Sequence, residues 1–233
     1  MQRRVLDKIA EHSLYGAGLS GTSVVYSYNL FMRYMSGRTV LELGPAEGLG
    51  TRVLVDAGLD VTVVDGAEAF CKDLQVRFPE IKVFCSLFEE IDLPGKYQNI
   101  ILGHVLEHVD DPVLVLKHIS KFLERDGRIY AAVPNARSLH RQAAVLMGLL
   151  SDEGQFSDLD RHHGHQRIYT PETFRSDFLK AGLSLDVFGG YWMKPLSNSQ
   201  MEDSWSAEMI AAFFKLGERY PDIAGEIFIV ASK

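Results

Sequence analysis

From residue 39 onward, short apolar runs alternate with amphipathic stretches, and the alternation predicts the elements. A strand over 39–43 leads to a helix over 48–57, stopped by Gly58 at its C′ position. A strand over 60–64 leads to a helix over 67–77, which ends before Pro79. Strands over 81–85 and 98–103 are separated by the turn residues Pro94-Gly95. Asp111-Pro112 reads as an N-cap and first helical residue, with a helix to about Leu123 and a strand over 128–133. Further on, Ser138 to Leu150 reads as a helix with Leu139, Ala143, Leu146 and Leu150 on one side. Residues 151–165 are polar and loop-like. Thr170-Pro171-Glu172 opens another helix, ended by Gly182, and strands near 184–188 and 226–231 close the pattern. Trp192, Trp205, Phe213 and Phe214 lie between those strands. Before the alternation begins, Val5, Ile9 and Leu14 have rough helical spacing. Tyr15 to Ser23 is glycine- and serine-rich and suggests a mobile link, and Val24 to Met35 predicts a helix.

Strands alternating with helices predict a parallel sheet covered on both faces, with ligands bound beyond the carboxyl ends of its strands. Gly44, Asp65, Ser86 and His104 all fall at such ends. The turn after the first strand, Gly44 to Gly50, lets the backbone approach a ligand and offers helix N-terminal amides. A carboxylate beside it, Asp65, can hold two ribose hydroxyls, so the pair predicts a nucleoside pocket. A dinucleotide is disfavoured. Its fingerprint needs glycine at the third and sixth places of the turn, which here hold Ala46 and Leu49.

Composition narrows the partners. With 233 residues and 46% apolar content, one domain with a full core is expected. The charge of −7 and the lack of a basic run argue against nucleic acid and favour a small-molecule acceptor. Cys71 and Cys85 cannot make a disulfide framework and are expected to stay reduced, as in the cytoplasm. Both are expected in core elements. No signal peptide and no membrane span are expected, because the N-terminal residues lack an apolar core and all apolar runs are short.

The segment Thr39-Val-Leu-Glu42-Leu-Gly44-Pro-Ala46-Glu-Gly48-Leu-Gly50 resembles the first motif of class I S-adenosylmethionine-dependent methyltransferases, acidic-x-Gly-x-Gly-x-Gly with Ala46 at the middle glycine. An alanine there is tolerable if its φ stays negative. The resemblance continues through Asp65, through Phe84 to Glu90, through the Leu106-Glu107-His108 exit of the fourth strand and through Val133-Pro134-Asn135, ending near Leu183. It is nearest to the small-molecule branch that includes ubiquinone-biosynthesis-type and natural-product enzymes. It implies an α/β, doubly wound, mostly parallel seven-stranded sheet of the Rossmann-like methyltransferase fold, with an antiparallel edge hairpin. Residues 1–36 would form a helical cap and 37–233 the cofactor-binding domain, with a cap insertion at about 136–170. The implied cofactor is S-adenosyl-L-methionine, with S-adenosyl-L-homocysteine as product. Glu42, Gly44, Gly48, Asp65, Ser86, Leu87, Phe88 and His104 would bind it, Glu42 by ordering the turn or by meeting the methionine ammonium through water. Gln98 stands where an acid is frequent, so any role for that acid is lost.

Methyl transfer to an oxygen or nitrogen of a small metabolite needs alignment and, for a protonated nucleophile, a base. His104, just past the fourth strand, and His165 are the candidate catalytic residues. His104 can equally contribute only a cofactor contact. His162, His163, His165, Arg167 and Tyr169 are candidates for a substrate lid, the alternative being a solvated loop. No metal is expected, because adjacent side chains on extended backbone point apart and only His163 and His165 would share a face. Tyr15, Tyr26 and Tyr28 either cap the cofactor or simply pack. The helix after Ser138 walls an apolar acceptor pocket with its apolar side or forms a homodimer face. With Ala46 and Gln98 departing from the common pattern, a catalytically silent cofactor-binding or scaffold protein is the rival class.

Overall fold

A strand buried on both faces needs apolar side chains at successive positions. β1 (Thr39–Leu43), β2 (Asp60–Asp65) and β4 (Tyr97–Gly103) have them. The computed structural model describes residues 16–233. In it these strands join β3 (Lys82–Cys85) and β5 (Leu123–Pro134) as the parallel part of a seven-stranded sheet. The order is β3-β2-β1-β4-β5-β7-β6. β7 (Glu226–Ser232) pairs antiparallel with both β5 and β6 (Ser184–Tyr191), so the edge hairpin is where the resemblance puts it.

Successive side chains point to opposite faces, which splits the core in two. Leu41, Leu43, Ile100 and Leu102 face α4 (Pro112–Ile119) and α7 (Pro171–Lys180). Val40, Val63, Ile101 and Tyr130 face α1 (Gly18–Met32), α2 (Leu49–Asp56) and α3 (Glu68–Arg77). α5 (Leu139–Leu146), α6 (Asp158–His162), α8 (Asn198–Glu202) and α9 (Ala207–Gly217) complete the described helices. Asp111 caps α4 as expected, its Oδ1 accepting from the Leu114 amide at 2.9 Å. No described helix is long and apolar enough to cross a membrane.

Register decides which residues meet. β1, β2, β4 and β5 run the same way, so Leu43, Asp65, Gly103 and Pro134 end at one rim. β6 ends there too, and antiparallel β7 begins there, with Glu226 opposite both Pro134 and Tyr191. Side chains almost 200 residues apart thus converge on one edge of the sheet.

Several expectations need correction. Tyr15 to Ser23 is no link over its described part, since α1 already begins at Gly18. Small residues there permit close packing. A Cβ at Gly21 would sit 2.9 Å from the Gly16 carbonyl and 3.1 Å from Leu49. Val5, Ile9, Leu14 and Tyr15 lie outside the described residues. α5 ends at Leu146, and its apolar side faces outward, with Leu146 89% exposed and Met147 71%. The loop at 151–165 contains α6, and the aromatic stretch folds as α8 and α9, with Trp192 stacked on Phe214 at 4.7 Å. Cys85 is exposed and only Cys71 is buried.

Gly50 carries a stability prediction. It lies in α2, where alanine ordinarily gains about 0.5–1 kcal/mol over glycine. Here a Cβ would sit 2.2 Å from Cζ of Tyr28, a fully buried ring. Gly50→Ala is therefore expected to cost about 1–3 kcal/mol through overpacking, seen as a lower melting temperature. An unchanged or raised melting temperature would contradict this packing.

Candidate functional site

The turn after β1 is held from below. Glu42, on β1 and fully buried, accepts 2.7 Å hydrogen bonds from the Tyr28 hydroxyl at one oxygen and the Thr51 hydroxyl at the other. Burial raises its carboxyl to about 7, although both hydroxyls favour the ionised form. Glu42 is thus a brace between α1, β1 and α2, not a cavity wall. Gly48 is also behind the wall. It caps α2 with φ +71°, and a Cβ there would meet Leu74 at 2.6 Å.

Beyond the turn lies a cavity of about 340 Å³, within the usual range for small-ligand pockets. Its walls include Gly44, Ala46, Asp65, Leu87, Phe88 and His104. Gly44 has φ +62°, and a Cβ there would run into Val105 at 2.8 Å. Asp65 Oδ1 accepts from the Ala67 amide at 2.8 Å, and the Ala46 and Gly66 amides also point at this carboxylate. Burial raises its carboxyl to about 6 against those amides, with Glu47 adding to the rise. Ser86 lines the same cavity, its amide bonded to the Asp65 carbonyl at 3.0 Å. Val24 and Tyr28 of α1 complete one side, whereas Tyr26 packs on Tyr191 and Phe214.

The two departures from the motif resolve differently. Ala46 has φ +47°, not the negative value expected, because this turn needs a left-handed residue whichever side chain occupies it. Gln98 lies at the opposite rim. Its Oε1 accepts from the Arg38 amide at 2.8 Å and the Thr39 amide at 3.3 Å, pinning the start of β1.

His104 stands where this cavity meets a second one of about 130 Å³. It has φ +58°, its Nε2 is 3.2 Å from the Tyr191 hydroxyl, and its Nδ1 faces Glu107 at 3.6 Å and Glu226 at 3.9 Å. Burial opposes the imidazolium, but the two carboxylates outweigh it and raise the His104 pKa. Burial would raise Glu107 as well, yet His104, His108 and His165 around it hold it down to about 2. Burial lowers His108 to about 4.

Within the predicted lid, the residues separate by role. His163 and His165 line the second cavity, whereas Gly164 and Gln166 line the first. His165 Nδ1 lies 3.2 Å from Asp160, which also holds Arg141 at 3.2 Å. Arg167 is a clamp. It donates to the carbonyls of Leu106 at 2.8 Å, Val109 and Asp110. Tyr169 is buried and donates to Asp177 at 3.0 Å. Arg167, Tyr169 and His162 line neither cavity. His165 gathers with Glu107 and His108, whose ligand-type atoms all lie within 4.8 Å, a grouping that sequence adjacency did not suggest.

Sequence reasoning missed Tyr191, Lys194, Asn198 and Glu226, which line or border the second cavity. The one available signal was an acid heading the apolar run Ile227 to Ala231. α5 contributes His140 and Arg141, so its polar side is the wall.

The chain matches the methyltransferase-domain family over residues 26–186. It is 26% identical over 171 residues to a ubiquinone biosynthesis O-methyltransferase of Chromobacterium violaceum, covering 70% of this chain and 72% of that protein. Among solved structures, a methyltransferase of Thermotoga maritima, described as a possible histamine N-methyltransferase, aligns over 100% of both chains with a TM-score of 0.67 at 14% identity. Geranyl diphosphate C-methyltransferase of Streptomyces coelicolor, in complex with Mg2+, geranyl diphosphate and S-adenosyl-L-homocysteine, aligns over 88% of this chain and 78% of that chain. Its TM-score is 0.61 at 14% identity.

Proposed function

This chain belongs to the methyltransferase-domain family, and is an S-adenosylmethionine-dependent methyltransferase; from that premise we propose that it methylates an oxygen or nitrogen of a small polar metabolite. The observation that carries the proposal is the meeting of two cavities at His104, one large and mostly apolar, one smaller and richer in polar groups.

The larger cavity fits an adenosyl group. Asp65 offers a carboxylate for the ribose hydroxyls, Leu87 and Phe88 offer apolar surface for the base, and bare Gly44 keeps Val105 and Phe88 clear. When bound, S-adenosylmethionine supplies an electrophilic methyl group on a sulfonium. Val24 and Tyr28 line this side, which supports an N-terminal cap. The acceptor enters the smaller cavity. His104 takes the proton from the acceptor's O–H or N–H on its imidazole, and Glu107 and Glu226 stabilise the imidazolium that results. His163 and His165 form the acceptor's outer wall, and Arg167 anchors that segment to the loop after β4. The silent-scaffold rival loses its motivation, since Gln98 lies away from the site and Ala46 takes the φ of the glycine it replaces.

Incubating the protein with methyl-deuterated cofactor and a metabolite extract tests this. A labelled small molecule is expected by mass spectrometry. Label found only on protein or nucleic acid would refute it.

A further inference from the structure

Four polar atoms around the second cavity are buried without a hydrogen-bond partner: Ser23 Oγ, His140 Nδ1, Asn198 Oδ1 and Glu226 Oε2. Buried polar atoms in native proteins are rarely left unsatisfied, so several around one cavity point to a ligand. A fifth group, the Lys194 ammonium, lines the same cavity. It lies 4.7 Å over the Trp192 ring and makes no hydrogen bond or ion pair among the described residues.

These groups divide by chemistry. Lys194 donates only, and His140 presents an unbonded ring nitrogen that donates in its Nδ1–H tautomer. Asn198 has its amide nitrogen committed to Ser20 Oγ at 3.2 Å, which leaves Oδ1 as an acceptor. Glu226 Oε2 also accepts, and it lies 3.9 Å from His104 Nδ1, at the seam with the larger cavity. Arg141 adds no free charge. Its guanidinium is spent on Asp160 and on the carbonyls of Glu153 and Gln155. Glu226, Asp160 and Glu202 act on the Lys194 ammonium electrostatically but none reaches it as a close ion pair, which leaves room beside it for one carboxylate and no surplus of positive charge for a dianion.

We propose that the second cavity is a subsite for a monoanionic carboxylate that also carries a hydroxyl or amino group. Lys194 and His140 hold the carboxylate. Glu226 and Asn198 flank the hydroxyl or amine, whose reacting proton points to His104. The inference rests on the reading of this cavity as the acceptor site, and it adds the acceptor's charge and its orientation.

Calorimetry on the full chain separates the two claims. Binding of S-adenosyl-L-homocysteine is measured first, because it reports the cofactor cavity alone. The protein saturated with that product is then titrated with glycerate and 3-hydroxybutyrate, and with their neutral counterparts glycerol and 1,3-butanediol. At least one acid is expected to bind about ten-fold or more tightly than its neutral counterpart, a charge-assisted hydrogen bond being of that size. Lys194→Met is expected to erase the preference and leave homocysteine-product affinity unchanged, whereas Lys194→Arg retains most of it. Equal binding of acids and neutral analogues, an undiminished preference in Lys194→Met, or no acid binding at millimolar concentration overturns the subsite while the methyltransferase reading stands. Failure of the loaded product itself to bind would instead remove the cofactor site, and this proposal with it. A Lys194→Met melting temperature far below that of Lys194→Arg would mark lost packing on Trp192, and the Arg variant then decides: loss of the acid preference there also overturns the subsite.

Discussion

Replacing Asp65 by alanine is expected to raise the dissociation constant for S-adenosyl-L-homocysteine about 100-fold or more. Two hydroxyls donating to one carboxylate contribute about 1.5–3 kcal/mol each, and about 1.4 kcal/mol is a factor of ten. Glu42 cannot take its place, being behind the turn with both oxygens bonded. The effect also depends on pH. Asp65 titrates at about 6, raised first by burial, so its acceptor form fills in as pH rises through that value. Wild-type affinity should therefore strengthen between pH 5 and about 7, and that slope should vanish in Asp65→Ala. The variant also loses the acceptor for the Ala67 amide, which lowers its melting temperature. Because the folded-state carboxyl is raised, ionising it costs the wild type stability as pH climbs from the unfolded value of 3.8 through about 6. The stability gap between the two proteins should thus be narrower at pH 8 than at pH 4. Calorimetry showing equal affinity for the two proteins would refute the ribose role.

How far the site could be read from the sequence follows from how local each part is. Gly44 and Asp65 close consecutive β-strands, so a hydrophobic alternation and two turn residues suffice to place them on one rim. His104 is the same case on β4. Glu42 was legible as an acid that orders the turn or meets the methionine ammonium, but the groups it holds were not. Its partners Tyr28 and Thr51 belong to different helices, and only the packing of α1 onto α2 brings their hydroxyls to it. The second cavity was least legible. Tyr191 and Glu226 reach His104, and Lys194 and Asn198 the cavity beside it, where β7 runs backwards between β5 and β6, and nothing in their local spacing announces that. The glycine-rich start of α1 misled for a related reason. Composition suggested flexibility, whereas Gly21 is there so that one backbone can approach another. Local chemistry survives translation from sequence, and long-range contact does not.

His104→Asn is expected to lower kcat by about 100- to 10,000-fold, the usual span for loss of a positioned base, with little change in S-adenosyl-L-homocysteine affinity. Asparagine is the informative replacement. Residue 104 has φ +58°, a conformation that asparagine tolerates and most other side chains resist, so the backbone should stay in place. The wild-type rate should rise with pH as the imidazole loses its proton. Because Glu107 and Glu226 outweigh burial and raise that pKa, the rise should fall above the ordinary value of 6.5. Tyr191 at 3.2 Å and the nearby His108 and His165 also face this assembly, and burial keeps His108 neutral near pH 7. Glu107→Gln should move the rise to lower pH, because it removes one of the two charges that favour the imidazolium. A pure cofactor contact would behave in the opposite way. His104→Asn would then weaken product binding in step with the rate, and neither pH shift would appear. A kcat within a few-fold of wild type, with the pH profile unmoved, would take His104 out of the chemistry.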